Sequence, residues 1–379
     1  MSKTEFLFLS EDDLVKAGVL NASECIDTCE EVFGILSDGD YLMGGLNHNE
    51  HGLSIVFPKE TRFPGMPVAG PERRFIAMPA YLGGDFHVCG EKWYGSNVEN
   101  PRHRGLPRSV LMITLNDPES CEPISYMSGN MISSMRTGCI PGVFLRYFGN
   151  NDARTAALIG TGPVQRATVL AIHSVLPGVQ KIYCKAAHIE HAEKFAEWVK
   201  QETGINAEAV LSMEECIAAG DVVSIAASPK DPLYIKNEWI KDGACVLLTS
   251  PIEADDDFWL KNGLCFDNTK MHMAYYDEAL GVGSILKANN GWGKMYKLME
   301  DGLMPDLRSQ ISMGDVVRGK ADGRIEHDRK EIFVTSGQVL FDLAWGYRLY
   351  QKALGSGEGT RLKIWDDPCC CLLYTSPSP

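Results

Sequence analysis

The chain has 379 residues, of which 45% are hydrophobic and 23% charged, and 36 Lys and Arg against 50 Asp and Glu give a net charge of −14. This composition is that of an ordinary globular protein, so it excludes disorder and collagen-like repeats, and the length predicts two domains or one large domain with insertions. The acidic balance excludes nucleic acid as a partner, because no surplus of cations is available to displace counterions from phosphates. No apolar run is long enough to span a bilayer, so we expect no membrane partner and a cytoplasmic location.

The twelve cysteines and nine histidines show no spacing typical of a metal site. No two cysteines before residue 368 form a CxxC pair, and most lie in apolar surroundings, which is typical of reduced thiols buried in a core. We therefore predict no metal site and no disulfide framework.

The first 126 residues predict helices followed by a sheet. Ser10 and Asp13 have the spacing of a capping box, which indicates a first helix beginning after Ser10. A second amphipathic helix begins at Asn21 or Ser23. From Tyr41 to about Tyr126, short apolar runs separated by Gly, Pro, Asn and Asp predict an antiparallel or mixed sheet.

From Asn150 onward, short apolar strands alternate with helical segments, which is typical of a parallel, doubly wound sheet, because parallel neighbours need crossover connections. A long amphipathic segment, Gly337–Leu354, closes the ordered part of the chain. The predicted strands are 155–159, 181–185, 207–211, 221–226, 244–249 and 264–267, and the predicted helices between them are 163–175, 189–201 and 212–219.

These patterns predict an α/β protein with a Rossmann-type, doubly wound parallel sheet and a second, α+β domain built from both chain ends. Residues 146–284 form the dinucleotide-binding domain in this prediction, and residues 1–145 and 285–366, from both chain ends, form the other. The last segment, 367–379, has three consecutive cysteines and no periodicity, so we expect it to be an unstructured tail that is foreign to the fold.

The junction between the first strand and helix of the Rossmann-type region carries Gly160-Thr161-Gly162. In such a junction the first glycine allows a tight turn, and the second lets a pyrophosphate approach the backbone at the positive end of a helix. Gln165 stands where a third glycine is common. An ordinary glycine turn is the alternative interpretation, but the position after a first strand favours a dinucleotide site.

The end of the second predicted strand bears on the choice of dinucleotide. An Asp or Glu there binds a ribose diol, whereas cations accommodate a 2′-phosphate. Here the strand ends in Cys184-Lys185 without an acidic residue. We predict NADP(H) or NAD(H) as cofactor, with a preference for NADP(H), although a solvated surface lysine would leave the same pattern.

Two cations of the first region, Lys92 and Arg136, are candidates for binding a carboxylate. Arg136 can do so through two parallel hydrogen bonds if both side chains face one crevice. Taken one at a time, each cation is more often an ordinary surface residue.

A series of motifs then brings a known family into view. In chain order they are Met78-Pro79-Ala80, Gly90-x-Lys92, Gly105-Leu106-Pro107, Leu115-Asn116-Asp117, Arg136-Thr137-Gly138, Leu158-Ile159-Gly160-x-Gly162, Gly319-Lys320-Ala321-Asp322-Gly323-Arg324 and Gly337-x-x-x-x-Asp342. This order, over about residues 5–365, resembles the ornithine cyclodeaminase/mu-crystallin family. The stretch from Tyr81 to Asn97 most resembles a bacterial subgroup named after tyramine oxidase, and we take no chemistry from that name.

The resemblance implies that the second domain binds substrate and forms a homodimer, and that the protein uses NAD(H) or NADP(H) on an amino acid or a cyclic imine. Its implied reaction is hydride transfer at the nitrogen-bearing carbon, with imine formation and loss of ammonia. It also implies which residues form the site. Lys92, Arg136 and Thr335 would bind substrate, and the implied cofactor contacts are Thr137, Gly160, Thr161, Gly162, Pro163, Val164, Gln165, Ala226, Ser228 and Gly337. Cys184 and Lys185, at the end of the second predicted strand, complete the predicted cofactor set.

The chain departs from the family pattern where cyclodeaminases place an acid/base Asp, because the corresponding loop, residues 249–255, is shorter. Glu253 and Asp255 are the candidates to replace that residue, and with Lys92 they complete the predicted catalytic set. The alternatives to a cyclodeaminase are a ketimine or imine reductase, an opine-type dehydrogenase, or a non-enzymatic, NADP-dependent protein that binds a small ligand. An acid/base at Glu253 or Asp255 that points into the cleft favours the enzymes, and a wholly apolar pocket favours the binding protein.

Overall fold

The computed structural model describes residues 3–70, 73–228, 232–281 and 292–367. Within these residues two large sheets are present. The strands of the first sheet are β1 (Thr4–Leu9), β2 (Tyr41–Met43), β3 (Leu53–Val56), β4 (Arg74–Leu82), β5 (Val88–Ser96), β6 (Ser109–Asn116), β7 (Pro123–Ser128) and β18 (Thr360–Trp365). Their order is β18-β1-β7-β6-β5-β4-β2, with β3 also paired to β4, and only the β1–β7 pair is parallel.

The second sheet is parallel throughout. Its strands are β8 (Thr155–Ile159), β9 (Lys181–Lys185), β10 (Asn206–Ala209), β11 (Val222–Ile225), β13 (Cys245–Leu248), β15 (Gly263–Phe266), β16 (Ile311–Ser312) and β17 (Glu331–Val334). They have the order β10-β9-β8-β11-β13-β17-β15-β16, which reverses between β8 and β11, where open α/β sheets bind ligands. A small parallel pair, β12 (Leu233–Ile235) with β14 (Ile252–Ala254), lies apart from it.

The helices follow the predicted signals closely in the N-terminal and Rossmann-type regions. The described helices are α1 (Glu11–Lys16), α2 (Ala22–Asp38), α3 (Asn100–His103), α4 (Asn130–Phe148), α5 (Pro163–Val175), α6 (Ile189–Thr203), α7 (Met213–Ala219), α8 (Asp256–Leu260), α9 (Thr269–Gly281), α10 (Gly293–Glu300), α11 (Met313–Val317) and α12 (Val339–Ser356). Ser10 and Asp13 form the reciprocal capping box at α1, and Asn21 caps α2. None of these helices is long and apolar enough to cross a membrane.

Helix α4 connects the two sheets through close packing on α5. A Cβ at Gly138 of α4 would lie 2.5 Å from the Ala167 Cβ and 2.7 Å from the Val164 carbonyl oxygen, so only glycine fits between the two helices. The neighbouring residues Arg136 and Thr137 are thereby held next to the first turn of α5. The same helix contacts α2 and α12, and α12 packs on β4, β5 and β6 of the first sheet.

Three features differ from the sequence prediction. The segment Thr4–Leu9 is a strand between β7 and β18 and not part of a helical start. Strand β5 and helix α4, which carry Lys92 and Arg136, were not among the predicted elements. Strand β17 lies in the second sheet, between β13 and β15, although residues 285–366 were assigned to the other domain. The predicted tail falls, from residue 368 on, outside the described residues.

Candidate active site

The turn after β8 requires glycine at its first position. Gly160 has φ +105°, a conformation that side chains other than glycine rarely adopt. A Cβ there would also lie 2.3 Å from the carbonyl oxygen of Ala226, at the end of the neighbouring strand β11. The two strand ends therefore approach each other across the point where the strand order reverses.

The second glycine of the turn leaves an open cradle at the start of α5. A Cβ at Gly162 would meet no heavy atom of the described residues within 4 Å. Pro163 begins the helix, and among the described residues no side chain caps it, so its first N–H groups are available to a ligand. An open cradle at a helix N-terminus fits the pyrophosphate of a dinucleotide. Thr161 and Val164 lie beside it in this turn.

Two of the predicted cofactor residues, Gln165 and Cys184, have side chains that are buried in the protein interior. The side chain of Gln165 is fully buried, and its amide exchanges hydrogen bonds of 3.4 and 3.1 Å with the carbonyl oxygen and the hydroxyl of Ser224. The thiol of Cys184 lies in the core, where burial raises its pKa to about 12. Both side chains face the protein interior, so a contact of Gln165 or Cys184 with a cofactor would have to come from the backbone.

The other predicted cofactor residues lie at the carboxyl edge of the second sheet or next to it. Ala226 and Ser228 follow β11, and Ser228 is exposed. Lys185 ends β9 and donates a hydrogen bond to the carbonyl oxygen of Ala186. Thr137 donates to the carbonyl oxygen of Ser133 in its own helix, at 2.6 Å.

Lys92 and Arg136 do converge, and they do so on a third side chain. The Lys92 Nζ lies 2.6 Å from the Asp342 Oδ2, and the Arg136 Nη2 lies 3.0 Å from the same oxygen. None of the three side chains is more than 4% exposed. Ser133 Oγ accepts longer hydrogen bonds from both cations, each of 3.4 Å. Strand β5 and helices α4 and α12 thus each contribute one charge to a buried cluster, which we call the cation cluster (Lys92, Arg136 and Asp342).

The lysine of the cation cluster is tuned toward neutral pH. Burial lowers the pKa of Lys92 to about 8; Asp342 opposes this shift, and the positive charge of Arg136 adds to it. A lysine with a pKa in this range exchanges a proton readily near neutral pH, as a general acid or base must. The cluster is therefore suited both to binding an anion and to donating a proton.

Several polar atoms of the cluster have no hydrogen-bond partner among the described residues. They are Nε and Nη1 of Arg136 and Oδ1 of Asp342. Buried polar atoms are nearly always paired, so these atoms mark a place suited to a ligand group. Each of the two free nitrogens of Arg136 can donate a charge-assisted hydrogen bond to an anionic ligand group such as a carboxylate. Gly337, with φ +68°, lies beside them, since a Cβ there would be 3.0 Å from Nη1.

The segment after β17 is fixed against the site by a pair of residues that the sequence analysis did not identify. The backbone N–H of Ser336 donates to Asp267 Oδ2 at 2.9 Å, and His272 Nε2 lies 3.1 Å from Asp267 Oδ1. Asp267 and His272 are both fully buried. Burial alone would raise the pKa of Asp267, but hydrogen bonds from His272 and from backbone N–H groups hold it below its usual value. Thr335, a predicted substrate residue, is anchored by its own N–H to the Leu248 carbonyl oxygen, 3.2 Å away.

A signal for Asp267 existed in the sequence, because it ends a predicted strand at the edge where ligands bind. His272 follows it by five residues, a spacing without a recognised motif. Only the tertiary structure shows that His272, on α9, lies next to Asp267 at the end of β15.

His51 is a further polar residue near the cluster. Its Nδ1 is buried without a hydrogen-bond partner among the described residues, and its ring lies 5.8 Å from that of Tyr275. Burial and the positive charges of Lys92, Arg136 and Arg74 lower the pKa of His51 to about 3, so the ring is neutral at physiological pH.

The two carboxylates predicted as the acid/base do not belong to this cluster. Asp255 caps α8: one oxygen accepts from the Phe258 N–H at 2.9 Å and the other from the Asn237 N–H at 3.0 Å. Glu253 lies exposed on β14, in the small separate pair of strands. Their predicted catalytic role is therefore corrected: Asp255 has a structural role, and Glu253 faces solvent.

With this geometry in place, comparison with known proteins gives the family. A sequence profile of the ornithine cyclodeaminase/mu-crystallin family matches residues 21–357. The chain belongs to this family. Membership accounts for the order of the motifs from Met78 to Asp342, and it agrees with the Rossmann-type sheet.

The relatives of the chain include amino-acid dehydrogenases and reductases. It is 24% identical over 363 residues to N-((2S)-2-amino-2-carboxyethyl)-L-glutamate dehydrogenase of Staphylococcus aureus, covering 95% of this chain and 99% of that one. It is 26% identical over 289 residues to alanine dehydrogenase of Archaeoglobus fulgidus, covering 76% and 83% of the two chains.

Solved structures share the fold of this family member at low identity. Thermococcus litoralis Δ(1)-pyrroline-2-carboxylate reductase, in complex with NADH and L-proline, superposes with a TM-score of 0.77 at 24% identity, over 94% of this chain and 99% of that one. The iminosuccinate reductase of Paracoccus denitrificans, in complex with NAD⁺, gives 0.75 at 18% identity, over 95% and 100%. These likenesses establish the fold.

Proposed function

We propose that the protein is an NAD(P)-dependent oxidoreductase that interconverts an α-amino acid and its imine by hydride transfer at the nitrogen-bearing carbon. The observation that carries this proposal is the cation cluster. Arg136 has two buried, unpartnered nitrogens among the described residues, and Lys92, with a pKa of about 8, shares its carboxylate partner. A carboxylate clamp and a proton donor in one buried place are what such a substrate requires.

In this proposal the residues of the chain have the following roles. Arg136 binds the substrate carboxylate, and Asp342 holds Arg136 and Lys92 in place. The turn of Gly160 and Gly162 would hold the dinucleotide, which when bound would supply or accept the hydride. In the reductive direction the Lys92 ammonium gives its proton to the nitrogen as carbon gains the hydride. In the oxidative direction the neutral Lys92 amine takes that proton back.

The relatives support this reaction class. Their names describe dehydrogenases and reductases of amino acids and imines, among them a Δ(1)-pyrroline-2-carboxylate reductase of Bacillus cereus that is 21% identical over 301 residues. Ketimine or imine reduction and opine-type dehydrogenation both belong to this class. A binding protein without chemistry is disfavoured by the charged, titratable cluster.

Deamination of cyclodeaminase type is the second candidate, and the family supports it, since neighbours in fold include a lysine cyclodeaminase at 18% identity and a TM-score of 0.73. In the described residues, however, Asp255 is a helix cap and Glu253 is exposed. We therefore place the simple imine–amine interconversion first.

We further propose a homodimer that uses the outer face of the first sheet, the face turned away from α12. Phe75 and Trp93 stack there with ring centroids 5.6 Å apart, and both are partly exposed, as is Val110. Exposed apolar patches of this kind mark protein interfaces. A structure of an archaeal alanine dehydrogenase dimer, at a TM-score of 0.76 and 21% identity, supports the same assembly. The division of the chain into two domains, as predicted from the sequence, is likewise a proposal.

The experiment that tests the function combines binding with turnover. Calorimetric titration with NAD⁺, NADH, NADP⁺ and NADPH identifies the dinucleotide, and the preference for NADP(H) remains a prediction until then. Nicotinamide absorbance is then followed with cyclic imines, with 2-oxo acids plus ammonium, and with amino acids in the oxidative direction. Imine-dependent oxidation of the reduced dinucleotide supports the proposal. Ammonia release from L-ornithine without net change in absorbance would replace it by the deaminase, and failure to bind any dinucleotide would refute both.

A further inference from the structure

Lys92 lies on the inner face of the first sheet. Further polar side chains lie on the same face, toward one end of strands β4 and β5. Lys92 lies directly opposite Met78, and Ser96 lies directly opposite Arg74 on the same two strands. Residues two or four apart on a strand share a face, so Arg74 and Ser96 face the same side as Lys92. They are about 13 Å further along the strands, at roughly 3.3 Å per residue.

Arg74 inclines back toward the cation cluster. Its guanidinium carbon lies 5.9 Å from the ring centre of Tyr94, which stands between Lys92 and Ser96 on this face. The Tyr94 hydroxyl accepts a hydrogen bond of 3.0 Å from Ser109. The long Arg74 side chain therefore extends toward Lys92, and the ring of Tyr94 lies between the two residues on this face.

Polar atoms in this region have no partner among the described residues. Ser96 is 5% exposed and its Oγ is unpartnered; Nε of Arg74 and Nδ1 of His51 are also buried and unpartnered. No described carboxylate forms an ion pair with Arg74. Since buried polar atoms are normally paired, an unpaired hydroxyl opposite an unpaired arginine indicates a ligand group.

Charged groups surround His51. Besides burial, three cations, Lys92, Arg136 and Arg74, lower its pKa, and Asp342 opposes them. Lys92 and Arg136 share Asp342, whereas Arg74 has no carboxylate partner among the described residues, so this region favours an anionic ligand group.

Asp267, a further buried carboxylate, is not a partner of Arg74. Its oxygens accept from the backbone N–H groups of Asn268 and Ser336, and one of them lies next to His272. A ligand carboxylate would supply the partner that Arg74 lacks among the described residues.

We propose that Arg74 and Ser96 form a second carboxylate-binding subsite, and that the substrate is an amino or imino acid with two carboxylates. One carboxylate binds Arg136, the second binds Arg74 and Ser96, and the reacting carbon lies between them near Lys92. This inference rests on the proposed function and narrows it to dicarboxylates. It adds a specificity-determining residue, Arg74, that no sequence motif marked.

The test uses acid–amide pairs that differ in one charge and hardly in shape. L-Glutamate is compared with L-glutamine, and L-aspartate with L-asparagine, by calorimetry on the full chain saturated with the dinucleotide that it binds. The wild type is expected to bind at least one acid about 10- to 150-fold more tightly than its amide, the range for hydrogen bonds to a charged group. Binding of neither acid, or equal binding of acid and amide, would overturn the subsite.

Two variants locate the preference. Arg74→Gln is expected to bring the acid-to-amide ratio close to one without weakening the amide, and Arg74→Lys to retain part of the ratio, because a point charge replaces the bidentate group. Arg102→Gln, an exposed arginine on α3, is the matched control and keeps the full ratio. Equal losses for acid and amide in Arg74→Gln would show a general structural defect and refute the assignment.

Turnover separates this inference from the function on which it rests. An acid preference that depends on Arg74, without any nicotinamide turnover, would leave the subsite intact and refute the oxidoreductase. Turnover of monocarboxylates with no preference for the second carboxylate would refute the subsite and leave the oxidoreductase intact.

Discussion

The turn of Gly160 and Gly162 and the cation cluster are built in opposite ways. The turn is contiguous in sequence, and its shape follows from backbone conformation: a positive φ at the first glycine and an open approach at the second. The cluster joins residues that are far apart, with Lys92 and Asp342 separated by 250 positions. Its properties follow from burial and charge. The comparison teaches that one half of this site is a local backbone feature and the other a product of long-range packing.

The two halves should therefore fail differently when residues are changed. Changes in the turn act through strain or through the space left for a ligand. Changes in the cluster act through uncompensated buried charge, which is the larger energy. The following predictions test that difference, beginning with the largest effect.

Asp342→Asn removes the carboxylate that Lys92 and Arg136 share. Two cations then remain buried without a counter-charge, so we expect the free energy of unfolding to fall by about 3–5 kcal/mol. Urea unfolding followed by circular dichroism measures it. The matched control is Asp257→Asn, an exposed partner of Lys261 one helical turn away, which should not change stability measurably. Comparable, small losses in both variants would show that the cluster is not a buried ion network.

Gly160→Ala and Gly162→Ala form a pair within the turn. The first is expected to cost about 1–3 kcal/mol of stability, because alanine is strained at φ +105° and its Cβ meets the Ala226 carbonyl. The second should change stability by less than about 0.5 kcal/mol, since its Cβ enters open space, yet weaken dinucleotide binding. Unfolding curves and calorimetry separate the two effects. Normal dinucleotide affinity in Gly162→Ala would contradict the cradle.

The pH profile of turnover reports on Lys92. Its ammonium is the proton donor for reduction, so reductive kcat/KM should fall about tenfold per pH unit above a pKa of about 8. Oxidative kcat/KM should rise with pH up to the same value and then level off, because the neutral amine is the acceptor. Lys92→Arg should remove this break, since arginine stays protonated. The same break in wild type and Lys92→Arg would assign it to another group.

Asp255→Ala tests whether this carboxylate is structural. Loss of the cap of α8 should reduce the free energy of unfolding by about 1 kcal/mol while leaving kcat/KM at the wild-type value. Glu253→Gln, on exposed β14, should affect neither quantity. A large loss of turnover in either variant at unchanged stability would restore that residue to the catalytic set.

Lys185→Glu should have the smallest effect. The side chain is half-buried at the end of β9 and already engaged with the Ala186 carbonyl, so any contribution to a 2′-phosphate is modest. We expect NADPH affinity to fall by no more than about fivefold and NADH affinity to stay unchanged. Equal changes in the affinities for NADPH and NADH would show that Lys185 does not contribute to a preference for NADP(H).

Much of the second sheet could be predicted from the sequence, because each strand and helix has a local signal. The helix Pro163–Val175 and the strand Thr155–Ile159 are confirmed at the predicted residues. Strand β1 was missed because a short Phe-Leu run has no helical or strand period of its own, and its partners lie in β7 and β18. Strand β17 was missed for the same reason, since only pairing with β13 and β15 places it.

The candidate site shows the same difference between local sequence signals and long-range contacts. Lys92 and Arg136 were predicted to bind the substrate carboxylate together, but Asp342 was not predicted as their shared partner, although it stood in the closing motif. A carboxylate among the apolar residues of an amphipathic helix does signal a buried partner. It does not say which of the 36 cations that partner is.

The sequence by itself determined the family, the parallel sheet and the glycine turn after β8, because each depends on residues close together in the chain or on motifs in a set order. Only the tertiary structure decided that Lys92, Arg136 and Asp342 share one buried place, that Asp255 is a cap, and that Arg74 lies on the same sheet face as Lys92. The physical reason is that backbone conformation is set by neighbours in sequence, whereas burial and Coulomb interaction depend on distance in space.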